Sequence, residues 1–357
     1  MSNIIRVGII GLGRSGRDIH GDYLSSASRK YAIVAVADRL AERRQRAETE
    51  YGCRSYATPE RLLAQDDIDL IVNASQSQYH VPLSLKVLKA GFHVLCEKPL
   101  ARKAADVDEI IKTSKRVGKV AAVFQNRRYD PDFQQVRKVV GSGVLGRIVM
   151  IRMTANGFSR RWDWQTLRKH YGGSLLNAGP HFLDQALQLF GTDGKPKVTC
   201  IMDRATSLGD AEDHIKLLLQ GRGRPTIDLE ISSCCAFPQD RFNVYGSRGG
   251  LHTQAGTVHW RYFKPSEQQR QTLKEEPIVN ATGLPAYCRE DLKWHEYSWQ
   301  EPAQQKSAIV QYYDMLHRVL TKGARLEVTL PEIRQQVAVI EECHRQNPPG
   351  KMAQVIN

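Results

Sequence analysis

No apolar run in the 357 residues reaches the roughly 20 residues needed to cross a bilayer, so no membrane partner is expected. The first residues, Met-Ser-Asn-Ile-Ile-Arg, lack a charged-then-apolar leader, so no signal peptide is expected and the location expected is cytoplasmic. Cysteine is sparse: seven residues, at 53, 96, 200, 234, 235, 288 and 343. The count is odd and the spacing is not that of a metal site, which argues for free thiols in a reducing compartment and against bound metal. Internal repeats are absent. The net charge of +13 is not concentrated anywhere: Lys and Arg are spread along the chain, without a helix-turn-helix, zinc-finger or aromatic RNA-binding signature. Nucleic acid is therefore not an expected partner. What remains is an ordinary globular composition, 41% hydrophobic and 25% charged, in a chain long enough for two domains.

The first third alternates strand and helix. Apolar strands are predicted at 4–10, 32–37, 68–74, 92–96 and 120–124, with helices at 16–27, 40–51, 81–90 and 104–117. Strands separated by helices of this length form a parallel, doubly wound sheet with helices on both faces. Gly11-Leu12-Gly13-Arg14-Ser15-Gly16 joins the first strand to the first helix, and Asp38 follows 22 residues after Gly16 at the end of the second strand. In that setting the pattern is a dinucleotide fingerprint. Gly11 permits a tight turn, Gly13 lets the backbone approach a pyrophosphate, and Gly16 lets the helix pack on the sheet. Arg14 and Ser15 belong to the same turn and count as cofactor contacts. Asp38 suits the two ribose hydroxyls and repels a 2′-phosphate, whereas Arg39, Arg43 and Arg44 could hold one; NAD is expected ahead of NADP. Ala74 and Ser75 end the third of these strands at the same sheet edge and are expected to line the nicotinamide side. His80, just beyond, is counted with them, although a packed or capping histidine explains it more simply.

The strand at 92–96 ends in Cys96-Glu97-Lys98-Pro99. Proline cannot donate to a sheet ladder, so the strand stops there. A lysine at the carboxyl end of a buried strand packs poorly but is well placed for chemistry, because open α/β sheets bind ligands at that edge. Lys98 is therefore a candidate catalytic residue that also borders the cofactor, with Glu97 beside it.

After residue 124 the pattern changes. A polar crossing segment, 125–131, carries Asn126, assigned to the cofactor, and Arg128, assigned to the substrate. Strands at 148–154, 198–203, 214–220, 226–232 and 242–246 lack helical spacers and predict a mostly antiparallel sheet in an α+β domain. Residues 264–300 read as a long polar insertion near the substrate opening or a subunit contact, and two helices close the chain. The domains expected are 1–124, binding the dinucleotide, and 125–357, binding substrate. Within the second, a helical pattern puts Asn177, His181 and Asp184 on one face. Histidine is the side chain best suited to move a proton near neutral pH, so His181 is the candidate base, while Asp184 is expected to make core hydrogen bonds. Arg161, Trp162 and Trp164 suit a sugar, with rings stacking on C–H faces; core packing explains one of the tryptophans equally well.

Together, Gly11–Gly16, Glu97-Lys98-Pro99 and the segment from Gly172 to Asp184 resemble the glucose–fructose oxidoreductase / inositol dehydrogenase family, Gfo/Idh/MocA. The resemblance covers nearly the whole chain. It implies a Rossmann domain followed by a domain with a large, mostly antiparallel sheet that forms a homodimer or homotetramer interface. It implies oxidation or reduction of a sugar or cyclitol hydroxyl or ketone with NAD or NADP, and a cis bond at Lys98–Pro99. The family lysine falls on Lys98, the histidine on His181, and the usual aspartate on Asn177. That last departure matters, because asparagine can orient a hydroxyl but cannot act as a base. It leaves His181 as base and Lys98 as the group that orients and polarises the oxygen. The tryptophan segment resembles branches acting on glucosides, some of them at the C3 hydroxyl. Two other readings stay open: an enzyme that recycles NAD while cleaving a glycoside through a keto-sugar, and a non-enzymatic dinucleotide-binding regulator.

Overall fold

A computed structural model describes residues 4–349. Six parallel strands form the first sheet: β1 (Ile5–Ile10), β2 (Tyr31–Ala37), β3 (Arg54–Tyr56), β4 (Leu70–Asn73), β5 (His93–Cys96) and β6 (Ala121–Val123). Their order is β3-β2-β1-β4-β5-β6, so the direction of winding reverses between β1 and β4. That reversal opens a crevice at the carboxyl ends of the strands, where α/β sheets bind ligands. β4 is buried along its whole length, as its unbroken apolar start Leu-Ile-Val anticipates for a strand covered on both faces.

The second sheet has eight strands: β7 (Ile148–Asn156), β8 (Lys197–Asp203), β9 (His214–Gln220), β10 (Thr226–Ser232), β11 (Phe242–Gly246), β12 (Gly249–Gln254), β13 (Thr257–Phe263) and β14 (Trp294–Gln300). The order is β14-β13-β12-β11-β7-β10-β9-β8; only β10 and β7 pair in parallel. The mostly antiparallel sheet is as expected. Its last three strands were not anticipated. β12 opens on Gly249-Gly250, and β14 has no fully buried residue to betray its period: only His295 and Trp299 are half-buried, Trp299 against the core. Residues 264–300 thus end in a strand.

The two apolar cores are stitched together by the end of the chain. Tyr312, Tyr313, Met315 and Leu316, from the helix Ala308–Lys322, complete the core around the first sheet. The last helix, Leu330–Gln346, gives Ile333 and Val337 to that core, and Val339, Ile340 and Cys343 to the core under the second sheet. A boundary at 124/125 therefore separates the sheets but not the cores. The last helix starts at a capping box, with Glu332 Oε2 accepting from Thr329 N at 2.8 Å. Among the described residues, no helix is long and apolar enough to cross a membrane.

Candidate active site

The glycine turn has the shape that a dinucleotide needs. Gly11 has φ +89°, and a Cβ there would lie 2.6 Å from Ala74 O. A Cβ on Gly16 would lie 1.8 Å from Gly11 O, so only glycine lets this helix sit on the turn. At Gly13 the nearest atom to such a Cβ is Arg43 Nη1, at 3.8 Å, which leaves the backbone open to a pyrophosphate. Arg14 is exposed at the same turn, with Ser15 half-buried beside it. The helix that follows is π-helical over Ser15–Gly21 before becoming α-helical at Asp22–Ser26, a widening common at functional sites.

Asp38 is buried, and it braces the turn: its Oδ2 accepts from Leu12 N at 2.8 Å and its Oδ1 from Leu40 N at 2.9 Å. Each oxygen keeps a further lone pair for a ribose hydroxyl. Of the nearby arginines, Arg43 Nη1 lies 3.6 Å from Asp38 Oδ2, Arg44 donates to the carbonyls of Asp38 and Arg39, and Arg39 itself is exposed. Ala74 packs against the glycine turn, and Ser75 Oγ donates to Asn73 Oδ1 at 2.7 Å. Asn126 opens the short 3-10 helix Asn126–Tyr129 beyond β6.

Two residues assigned to the cofactor face elsewhere. His80 is buried, with Nδ1 2.7 Å from Pro99 O and Nε2 3.0 Å from Ser75 O, so it braces two loops. The simpler of its two readings fits this arrangement. Glu97 is 5% exposed and turns inward: Oε1 lies 3.2 Å from His20 Nε2, and Oε2 accepts from Lys98 N at 3.0 Å. His20 Nδ1 lies 2.6 Å from the Tyr313 hydroxyl. Burial pushes the Glu97 carboxyl up, but the His20 hydrogen bond and charge, with Lys98, outweigh it and bring the pKa to about 2.

Lys98 stands at the end of β5, before a cis bond to Pro99. Its Nζ donates to the main-chain carbonyl of Asn177 at 3.0 Å. Burial lowers its pKa; Glu97 opposes that, while Arg127, Arg14 and Arg161 add to it. A recess beside Lys98 is lined by Ser77, Pro99, Trp164, Gln165, Tyr171 and Asn177. His181, on the helix Gly179–Phe190, has Nδ1 3.0 Å from Gln125 Oε1. Burial, then the charges of Lys98 and Arg127, hold its pKa well below the ordinary histidine value.

The single helical face expected for 177, 181 and 184 is broken. Ser174–Asn177 and Gly179–Phe190 are separate helices with Ala178 between them, and Pro180 has no N–H to continue the first. Asn177 offers Lys98 its carbonyl. Asp184 points inward to Arg128, as the core reading of that residue anticipated. Arg128 is consequently not a substrate group: it is 4% exposed, with Nε donating to Asp184 at 2.9 Å and Nη1 to Glu327 O at 2.6 Å and Glu332 Oε2 at 3.0 Å.

In the loop before the histidine, Trp164 lines the recess, whereas Trp162 is 77% exposed. Arg161 is tied within the loop to Asp163, at 2.7 Å, and to Gln165. Tyr171 has φ 59°, a left-handed backbone uncommon for a bulky residue, and Arg102 lies 5.1 Å over its ring. Sequence reasoning missed Gln125, Gln165, Tyr171 and His20. For Gln125 a signal existed: it follows β6 at the same sheet edge that singled out Lys98. The other three are brought in by loop and helix geometry that no local pattern announces.

A parallel sheet with a glycine cradle at its switch point, and a strand-end lysine whose charge acts on a histidine, defines a dinucleotide-dependent oxidoreductase. Residues 5–125 match the oxidoreductase family with an NAD-binding Rossmann fold, and residues 133–252 match the GFO/IDH/MocA C-terminal domain. The chain is 30% identical to the myo-inositol 2-dehydrogenase of Thermotoga maritima, over 69% of this chain and 74% of that protein. It is 33% identical to the D-glucoside 3-dehydrogenase of Escherichia coli (strain K12), over 53% of this chain and 55% of that one. An NAD-binding protein from Listeria innocua superposes with a TM-score of 0.78 at 25% identity, covering 96% of this chain and 97% of that one. The chain belongs to the Gfo/Idh/MocA family of oxidoreductases.

Proposed function

We propose that the protein is an NAD-dependent dehydrogenase oxidising a secondary hydroxyl of a sugar, glycoside or cyclitol, with C3 of a glucoside as the leading position. The observation that carries this reading is the pairing of Lys98, at the end of β5 and held by the Asn177 carbonyl, with His181, whose pKa its charge depresses. The relatives that act on glucosides and inositol support the substrate class. Bound NAD supplies the acceptor for the carbon-bound hydride. Lys98 hydrogen-bonds the substrate oxygen and stabilises its developing negative charge. His181, neutral near pH 7, takes the hydroxyl proton. Lys98, as an ammonium donating to the Asn177 carbonyl, polarises an oxygen and has no lone pair with which to take a proton. Asn177 holds the lysine through its carbonyl. Trp164, Trp162 and Arg161 border the sugar, and Gly11, Gly13, Arg14, Ser15, Gly16 and Asp38 hold the cofactor. Asp38 favours NAD over NADP, because its carboxylate repels a 2′-phosphate.

On the face of the second sheet turned away from buried Val244 and Ile151, Tyr245 pairs with Met150 and is exposed, which suits association of copies through this sheet. The free cysteines fit a cytoplasmic setting. The test is NADH formation on a panel of glucosides and cyclitols, with NAD and NADP in parallel. Lys98→Met and His181→Ala should each lower kcat by about 10²-fold or more. Wild-type activity in both variants sinks the assignment. Substrate cleavage without net NADH would identify instead a glycoside-cleaving enzyme that recycles its cofactor.

A further inference from the structure

His181 reaches the cleft by way of three buried groups. Gln125 is 1% exposed and Gln336, on the last helix, 3%. The Pro180 carbonyl accepts from both amides: from Gln125 Nε2 at 3.1 Å and, in a shorter contact, from Gln336 Nε2. Gln125 Nε2 also donates to Gln336 Oε1 at 3.1 Å. A carbonyl only accepts, so Pro180 O dictates how both amides are turned. Gln125 is left with one orientation, its nitrogen toward Pro180 and Gln336 and its Oε1 toward His181. That oxygen lies 3.0 Å from His181 Nδ1, and it too only accepts. The proton of the neutral imidazole must then sit on Nδ1.

We propose that Gln125 and Gln336 form a positioning relay, anchored on the Pro180 carbonyl, that keeps the His181 proton on Nδ1 and presents Nε2 bare as the base. The proposal rests on the reading of His181 as base. It assigns a function to residues 125 and 336 that neither the fold nor the cofactor requires. In the reaction the hydroxyl proton goes to Nε2, and the resulting imidazolium keeps its Nδ1–H bond to Gln125 Oε1. The partner is a neutral amide, so the relay orients the ring without adding a negative charge. The charged groups facing His181 are Lys98 and Glu97 from the end of β5, Arg127 from the crossing segment and Arg241 from the start of β11; all but Glu97 favour the neutral ring.

The test begins without substrate. The protein is labelled with 15N-histidine, and His181 is identified by its loss in His181→Ala. The expected spectrum of the wild type at pH 7.5 shows His181 protonated on Nδ1 and unprotonated on Nε2. A ring protonated on Nε2 overturns the relay, whatever the enzyme's substrate proves to be. Gln125→Leu should move the proton to Nε2 and lower kcat by about 10²–10⁴-fold, the scale of losing a base or holding it in the wrong tautomer, with KM within about threefold. Gln336→Leu, which leaves Gln125 anchored on Pro180, should cost less than about tenfold and keep the tautomer. Gln125→Glu should raise the acid-limb pKa of kcat/KM by at least about one unit, because a carboxylate stabilises the imidazolium. An unchanged tautomer in Gln125→Leu overturns the proposal even if activity falls. If His181→Ala stays fully active while the wild-type tautomer is Nδ1–H, the base assignment fails and the relay's geometry stands.

Discussion

Arg128 separates two readings of one residue, and a single substitution decides between them. From sequence it is a substrate contact in a polar crossing segment; in the structure it is the hub of a buried ion-pair cluster. The guanidinium and the Asp184 carboxylate are each 4% exposed, and Glu332 adds a second carboxylate at 3.0 Å. Arg128→Met removes every one of these donors and leaves Asp184 charged and unpaired in the interior. Breaking a buried pair in this way costs about 3–5 kcal/mol. Set against a typical total stability of about 5–15 kcal/mol, the loss is large. Urea unfolding followed by circular dichroism should show a lower midpoint at an unchanged slope. The double variant Arg128→Met/Asp184→Leu should recover roughly half of the loss, because it removes the stranded charge, and well-packed apolar replacements of buried pairs are often neutral. KM of the folded fraction should stay within about threefold of wild type. A stability within about 1 kcal/mol of wild type, together with a KM raised tenfold or more, would refute the hub and restore the substrate reading.

Gly16→Ala should abolish NAD binding measured by fluorescence titration, since the new Cβ would lie 1.8 Å from Gly11 O and must displace the turn; a dissociation constant within threefold of wild type counts against the cradle. Asn177→Ala keeps the carbonyl that receives Lys98 Nζ, so kcat should fall by less than about tenfold, far less than in His181→Ala. The pH–rate profile should stay flat down to pH 6.5, because His181 titrates well below that value and is already neutral there, and the alkaline limb should begin below 10.5, because the Lys98 ammonium is lost early. Half-buried His344 has its pKa lowered from 6.5 to about 4, first by desolvation and then by Arg102 and Arg168. A base depressed in the folded state stabilises fully above its unfolded pKa and loses that contribution as pH falls. His344 should therefore account for up to about 3 kcal/mol of stability lost between pH 6.5 and 4, and His344→Gln should flatten the urea-midpoint curve across that window.

Five strands of the first sheet were legible because they carry apolar runs that need no context; β3, short and with no buried residue, was not. The glycine turn was legible because each glycine answers a separate steric demand. Lys98 was legible because charge at the end of a buried strand is costly unless it is used. Arg128 and Asp184 were half legible: helical spacing marked Asp184 as a buried polar group, but nothing in the sequence told the two arginines of the crossing segment apart. Residue 127 is exposed while residue 128 is locked inside, a difference set by the 3-10 turn at Asn126–Tyr129. β14 was illegible for a different reason. None of its residues is buried and only His295 and Trp299 are half-buried, so its sequence carries no full alternation of buried and exposed residues to read.

Electrostatics connects the departure at position 177 to the proposed base. The groups whose charges act on Lys98 are Glu97, Arg127, Arg14 and Arg161, so Glu97 is the only acid among the leading ones. That acid is turned inward, shared with His20 and the Lys98 main chain. An aspartate at 177 would add a negative charge within the cleft, pull the pKa of Lys98 and His181 upward, and compete for the proton. Asparagine does neither. Its carbonyl still receives the lysine, while the surrounding cations keep His181 neutral and ready to accept. A neutral amide at position 125 follows the same logic: a carboxylate there would stabilise the imidazolium and give up the low pKa that burial and the neighbouring cations create. Among the leading charges acting on the histidine, Glu97 is thus the only acid, and the ring is oriented by groups that carry no net charge. Asn177→Asp and Gln125→Glu should consequently act in the same direction, each raising the pKa that governs the acid limb of the rate profile, although they touch different residues on different elements.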